Sequence, residues 1–205
     1  MNFTKLQRYA QLVTEWPGLV GPTGKAELEL LIEDSLVLLE HLDEDLQLVD
    51  VGSGGGMPGL VLKLVRPELQ VTLIEANRRK AAFLRFAAAE LGAAVEVIDQ
   101  RAELVGQGEA RERFPLAVCR ALAAMPVLLE LCLPLVEVGG RLLAQKGVVE
   151  PCDQALRSMG GATMKILPAP SRARSTGVVV EVLKLHPTPP QYPRRPGIPA
   201  RRPLK

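Results

Sequence analysis

Apolar residues recur along this chain with two different periods. Leu6, Tyr9, Val13 and Trp16 lie three or four positions apart and predict a helix, which WPGLVGPTG (16–24) stops with two prolines and three glycines. A second stripe, Leu28, Leu31, Leu36, Leu39 and Leu42, predicts a helix over 26–42 that packs on something larger. Beyond it, short apolar runs take over: LQLVDV (46–51), LQVTLIEA (69–76), AAVEVI (93–98), PLAVCRA (115–121), GRLLAQK (140–146), TMKILPA (163–169) and GVVVEVLKL (177–185). Helices are predicted between the earlier runs at 59–66, 78–91 and 125–136, the second capped by Asn77 and stopped by Gly92. Strand alternating with helix specifies an α/β fold, a mostly parallel sheet with helices on both faces.

Composition narrows this picture. A chain of 205 residues, 47% hydrophobic, buries one sizeable core and is short for two domains. No run of about 18 apolar residues occurs, so a soluble, cytoplasmic protein without a membrane partner is expected. Cys119, Cys132 and Cys152 are odd in number and far apart, which suggests neither a disulfide framework nor a metal site. The net charge of +2 conceals a division: residues 187–205 hold Arg194, Arg195, Arg201, Arg202 and Lys205 with no acid, leaving 20 basic against 23 acidic groups elsewhere. Seven of the 17 prolines fall in the same tail, which predicts extended polyproline-like chain there. The organisation expected is one domain, with a helical cap over 1–45, a core over 46–186 and a basic tail over 187–205.

The candidate chemistry sits where the first strand ends. Gly52-Ser53-Gly54-Gly55-Gly56 follows it directly, and in an open α/β sheet this turn lies at the edge where ligands bind. Missing Cβ atoms admit close approach, and the helix start that follows offers free N–H groups to an anion. A dinucleotide loop, G-x-G-x-x-G, would put Met57 where its third glycine belongs, whereas the chain reads D-x-G-x-G-x-G from Asp50. That favours S-adenosylmethionine, with Glu75 at the end of the second strand for a ribose, although either cofactor would use this acid. A nicotinamide oxidoreductase, a small-molecule methyltransferase and a non-catalytic RNA binder on the same fold stay open at this point.

The segments LVDVGSGGGMPGLVLKLVRPE, VCRALA, LLAQKG and YPRRPGIPARRPL, in this order, resemble the class I methyltransferases. Within them they resemble the bacterial small-subunit ribosomal RNA (guanine-N7) methyltransferase family, also called the glucose-inhibited division protein B family. The resemblance runs from about residue 46 to the C-terminus and departs before IEDSL, where Leu30 and Leu31 stand. It implies a Rossmann-like, seven-stranded sheet with its last strand reversed. It also implies methyl transfer from S-adenosylmethionine to N7 of a guanine in 16S ribosomal RNA, on the RNA or on a small-subunit assembly intermediate, by a monomer. Cofactor contacts are implied at Gly52, Met57, Glu75, Ala76, Asn77, Ala102, Glu103 and Arg120, to which the loop pattern adds Asp50 and Gly54.

Only His41 and His186 are present, so no histidine-based nucleophile or metal site can be assembled. Guanine N7 already carries a free lone pair, so orientation and electrostatics can suffice for its methylation. Cys119 reads as a small buried hydrophobe. Arg120, a charge directly after LAVC at a strand end, needs an acidic neighbour or a substrate phosphate, and with Lys146 it forms the pair of candidate catalytic residues. Arg194, Arg195, Arg201 and Arg202, beside Tyr192, have the composition of an RNA-phosphate contact.

Overall fold

The computed structural model describes residues 3–19, 25–42 and 47–204. Positions 20–24 of the segment that stops the first helix, residue 46 at the start of the first apolar run, the 45/46 division and Lys205 lie outside the described residues. Seven strands form one sheet: β1 Gln47–Val51, β2 Gln70–Ile74, β3 Val95–Ile98, β4 Phe114–Arg120, β5 Val136–Lys146, β6 Gly161–Pro168 and β7 Val178–Lys184. Their order is β3-β2-β1-β4-β5-β7-β6. β1 to β5 pair in parallel, and β7 lies antiparallel to both β5 and β6.

The two-residue alternation of each strand assigns its side chains to two cores. Leu48, Leu73, Leu116, Val118 and Leu143 face α1 Phe3–Glu15, α2 Lys25–Leu36, α3 Gly59–Val65 and α4 Arg78–Glu90. Val49, Val51, Ile74, Ala117 and Leu142 face α5 Ala102–Gln107, α6 Met125–Cys132 and α7 Asp153–Ser158. Helices on both sides explain why the central strands read as nearly continuous apolar runs. Asn77 caps α4 as expected, its Oδ1 accepting from Arg79 N–H at 3.0 Å and Lys80 N–H at 3.2 Å, and Gly92 follows the helix with φ +58°.

Four expectations need correction. The helix expected over 26–42 ends at Leu36 and tightens into a 3₁₀ helix, Val37–His41. The one expected over 125–136 ends at Cys132, because Pro134 brings no N–H and its ring crowds the preceding turn. β5 begins at Val136 instead of 140: Gly139, at φ +89°, lets the strand carry an irregularity opposite Phe114 and Leu116. Lastly, the tail is not simply extended. It holds a one-turn helix, α8 Ile198–Arg201, whose early position is filled by Pro199, where a missing N–H costs nothing. The tail is also fastened to the body, since Arg111 donates to the carbonyls of Thr188 and Tyr192 and Gln107 to that of Pro193.

Candidate active site

Where β1 ends, the N–H groups of Gly52 and Ser53 both donate to Ile74 O, at 2.9 and 3.0 Å, which draws the glycine loop across the end of β2. The three alternate glycines have positive φ, +73° at Gly52, +57° at Gly54 and +99° at Gly56. A Cβ at Gly52 would lie 2.5 Å from Leu122 Cδ1, and one at Gly56 2.9 Å from Leu60 Cβ. At Gly54 it would meet nothing closer than the Gly52 carbonyl oxygen, 3.9 Å away. Packing excludes a side chain at Gly56, the left-handed backbone favours glycine at all three positions, and Gly54 leaves an open cradle.

Three groups fix this loop. Asp50, buried on the α3 side of β1, accepts the Gly59 N–H at 2.9 Å through Oδ2, while Oδ1 has no partner among the described residues. Burial pushes its carboxyl up to about 7, against the hydrogen bonds that favour the ionised form. The buried Tyr9 hydroxyl, from α1, donates to Gly55 O at 2.6 Å, and burial raises its pKa. Glu75 accepts the Gly54 N–H at 2.8 Å with one oxygen and the Asn77 N–H at 2.7 Å with the other. Ala76 and Asn77 are exposed beside it.

After β3, Ala102 is half-buried at the start of α5. Glu103 is buried, and its Oε1 accepts from Arg101 Nη2 at 3.0 Å and from the tail's Gly197 N–H at 2.9 Å. Burial works to raise its pKa, but these donors outweigh it and hold the carboxyl below the usual range. Its side chain thus fastens the tail, and what this turn offers a ligand is Ala102 and backbone.

On the other side of the loop, Arg120 ends β4. Its Nη1 donates to Leu31 O at 3.1 Å and lies 3.6 Å from Asp34 Oδ2, and its Nη2 contacts Met57 Sδ at 3.3 Å. The acidic neighbour that Arg120 requires is therefore Asp34, in α2. Ala121 follows at φ +50°, a conformation rare for a residue with a Cβ and one that concentrates at functional turns. Lys146 ends β5, donating to Ala123 O at 3.0 Å and pairing with Glu150 at 3.1 Å. Glu150 also accepts the first N–H of α6, from Met125, so Lys146 braces the start of that helix. Cys119 is fully buried, as expected. Both histidines lie toward the opposite edge of the sheet: His41 O accepts from Arg141 near the start of β5, and His186 follows β7 beside Gly160.

Of the four tail arginines, Arg194 is committed internally. Its Nε and Nη2 donate to the fully buried Glu130 at 2.8 and 2.6 Å, and its N–H adds a third bond at 2.9 Å. Arg195, Arg201 and Arg202 are exposed. Sequence reasoning missed Tyr9, Leu31, Asp34, Glu130 and Arg174 as supports of this edge, because each acts across more than 25 positions and no local pattern marks it.

The site's shape suits S-adenosylmethionine. The Gly54 cradle is open where a Cβ would intrude, and Glu75 is held at the end of β2 by two N–H donors that leave it further lone pairs for hydroxyl groups. This sheet order, with its reversed seventh strand, a glycine loop after β1 and a carboxylate closing β2, defines a class I S-adenosylmethionine-dependent methyltransferase.

Sequence comparison narrows the class. The profile of the rRNA small subunit methyltransferase G (GidB) family matches residues 2–158. Proteins named ribosomal RNA small subunit methyltransferase G are 39% identical in Moorella thermoacetica, over 98% of this chain and 89% of theirs, and 42% identical in Syntrophomonas wolfei, over 87% and 86%. The chain belongs to the rRNA small subunit methyltransferase G family. The match begins at residue 2, so the likeness read from residue 46 onward also takes in the N-terminal helices. Solved structures share the fold: a point mutant of MtNAS in complex with S-adenosylmethionine superposes with a TM-score of 0.63 at 18% identity, over 89% of this chain and 73% of that one. A T. thermophilus 16S rRNA N2 methyltransferase in complex with AdoMet and guanosine superposes with a TM-score of 0.53 at 15% identity, over 77% and 40%.

Proposed function

We propose that this protein transfers a methyl group from S-adenosylmethionine to N7 of one guanine in 16S ribosomal RNA, acting as a monomer. The observation that carries this reading is the Gly52–Gly56 loop drawn over β2 and opened at Gly54 opposite Glu75, in a chain of the rRNA small subunit methyltransferase G family. Bound there, S-adenosylmethionine supplies a methyl group on a positively charged sulfur. Gly52, Gly54 and Met57 would line its amino-acid end, Glu75, Ala76 and Asn77 its ribose, and Ala102 its adenine edge.

Guanine N7 bears a lone pair and no proton, so no residue has to act as a general base. The protein's part is then to orient the ring and exclude competing geometries, which suits an edge lined by fixed side chains and free of histidine. The exposed Arg195, Arg201 and Arg202 lie on a tail fastened by Arg194, and exposed cations held against the body in this way are suited to phosphates.

The test is transfer of labelled methyl to naked 16S RNA and to small-subunit particles, with the product base mapped by mass spectrometry. Label recovered as 7-methylguanine at one position is expected. Absence of label on both substrates, with cofactor bound, would overturn the reading. Replacing Arg195, Arg201 and Arg202 together by Ala should lower the salt-dependence slope of RNA binding by about two and leave cofactor affinity unchanged. An unaltered slope would remove the tail from the RNA interface.

A further inference from the structure

Beside the glycine loop, one carboxylate gathers cations from separate elements. Asp34 is 1% exposed. Arg174, in the β6–β7 connection, brings Nε to 2.9 and 3.0 Å from its two oxygens, and Ser171 Oγ donates to Oδ1 at 2.7 Å. Arg120 Nη1 lies 3.6 Å from Oδ2. The same node reaches β5: Gln145 Nε2 donates to Asp34 O at 2.6 Å, and Arg174 Nη1 to Lys146 O at 2.5 Å. Asp34 thus ties α2 to the ends of β4 and β5 and to the β6–β7 connection.

Two features set this cluster apart from one that merely stabilises the fold. Among the described residues, Gln145 Oε1 and Arg174 Nη2 are buried there without hydrogen-bond partners, an unmet demand of the kind that needs an explanation beyond stability. Second, a single carboxylate within ion-pair distance serves two guanidinium groups, so Arg120 shares Asp34 with Arg174. Arg174 holds the closer, doubly bonded position. Arg120, farther from the carboxylate and in contact with Met57 of the loop, is the less tightly paired of the two and lies at the ligand-binding edge.

We propose that Asp34 and Arg174 are positioning residues that hold the Arg120 guanidinium beside Met57 as a fixed receptor for an anionic oxygen group, the cofactor's carboxylate or a phosphate of the target RNA. The proposal rests on the reading of Arg120 as a ligand contact and extends it to residues that touch no ligand. The helical N-terminal segment then forms a wall of the site, because Asp34 and Leu31 both reach Arg120 from α2.

The test is a mutant cycle on the full chain, with Arg120→Gln, Asp34→Asn and their combination. Affinities for S-adenosylmethionine, for 5′-methylthioadenosine, which lacks the carboxylate, and for 16S RNA at several salt concentrations are measured beside thermal unfolding. Each single variant should weaken one anionic ligand about tenfold, and the double variant should be no weaker than Arg120→Gln within about a factor of two. Loss with S-adenosylmethionine but not with methylthioadenosine assigns the carboxylate. Loss with RNA, with a shallower salt slope, assigns a phosphate. Either result sustains the proposal, since a structural role alone would lower the melting temperature without this ligand selectivity. If Asp34→Asn does not fold, Arg174→Gln and Ser171→Ala replace it in the cycle. Additive losses, or unchanged affinities while Arg120→Gln remains defective, would overturn the positioning role alone. A silent Arg120→Gln would overturn the reading of Arg120 itself, without bearing on methyl transfer by the intact protein.

Discussion

The two halves of the ligand-binding edge are built from different materials. On the half where the cofactor is proposed to bind, backbone groups of the β1–α3 and β2–α4 turns do the holding: Asp50 takes the Gly59 N–H, Glu75 takes those of Gly54 and Asn77, and Gly52 and Ser53 hang from Ile74 O. On the half around Arg120 and the tail, charged side chains reach groups of remote segments, Arg174 meeting Asp34 140 positions away, Arg120 the Leu31 carbonyl 89 away and Arg194 Glu130 64 away. Backbone-built geometry depends on φ angles and on missing Cβ atoms, and so it leaves a glycine signature. Charge networks depend on who becomes a neighbour after folding.

Substitutions that attack each half separately sharpen this contrast. The largest effect is expected from Gly54→Val. Filling the cradle and forcing a β-branched residue to φ +57° should abolish cofactor binding in calorimetry while costing only about 1–2 kcal/mol of stability. Retained affinity would mean the cofactor half is not where the loop places it. Glu130→Ala should do the reverse, losing about 3 kcal/mol in urea unfolding by stranding Arg194, and opening the tail to limited proteolysis. Should the tail stay protected, the long-range pair is not what fastens it.

A change of slope is the signature expected at Asp50. Its folded pKa is raised to about 7 by burial, so the stability gained from its neutral form is complete below the ordinary carboxylate range. That gain is lost as pH rises from about 4 to about 7. Asp50→Asn should erase this decline, gaining on the parent through that interval and holding a constant lead above it, as followed by thermal melting. Parallel curves would show that Asp50 does not titrate in this window. Tyr9→Phe is the mildest change. Losing the 2.6 Å bond to Gly55 O should cost about 1 kcal/mol and weaken cofactor binding a few-fold. No loss of affinity would free the loop from the N-terminal helix.

The tail illustrates the limit of composition as a guide. Seven prolines and five cations read as extended, solvated chain, and three of the arginines are indeed exposed. Yet Arg111 gathers the tail's carbonyls, Glu103 takes the Gly197 N–H, and Glu130 binds Arg194 in three hydrogen bonds. A proline-rich chain lacks N–H donors but keeps its carbonyls, and a single half-buried arginine, Arg111, satisfies several of them.

The sequence by itself determined the succession of the seven strands and of the helices α1 to α4 and α6, the place of the glycine loop, the acid that closes β2 and the cap of α4, because periodicity, φ preference and capping act within a few residues. It did not determine which carboxylate would face Arg120, that Tyr9 would clamp the loop, or that Glu103 and Glu130 would hold the tail. Those choices fell to the tertiary structure, since a buried charge accepts whatever opposite charge packing brings within reach, and packing is a property of the whole chain.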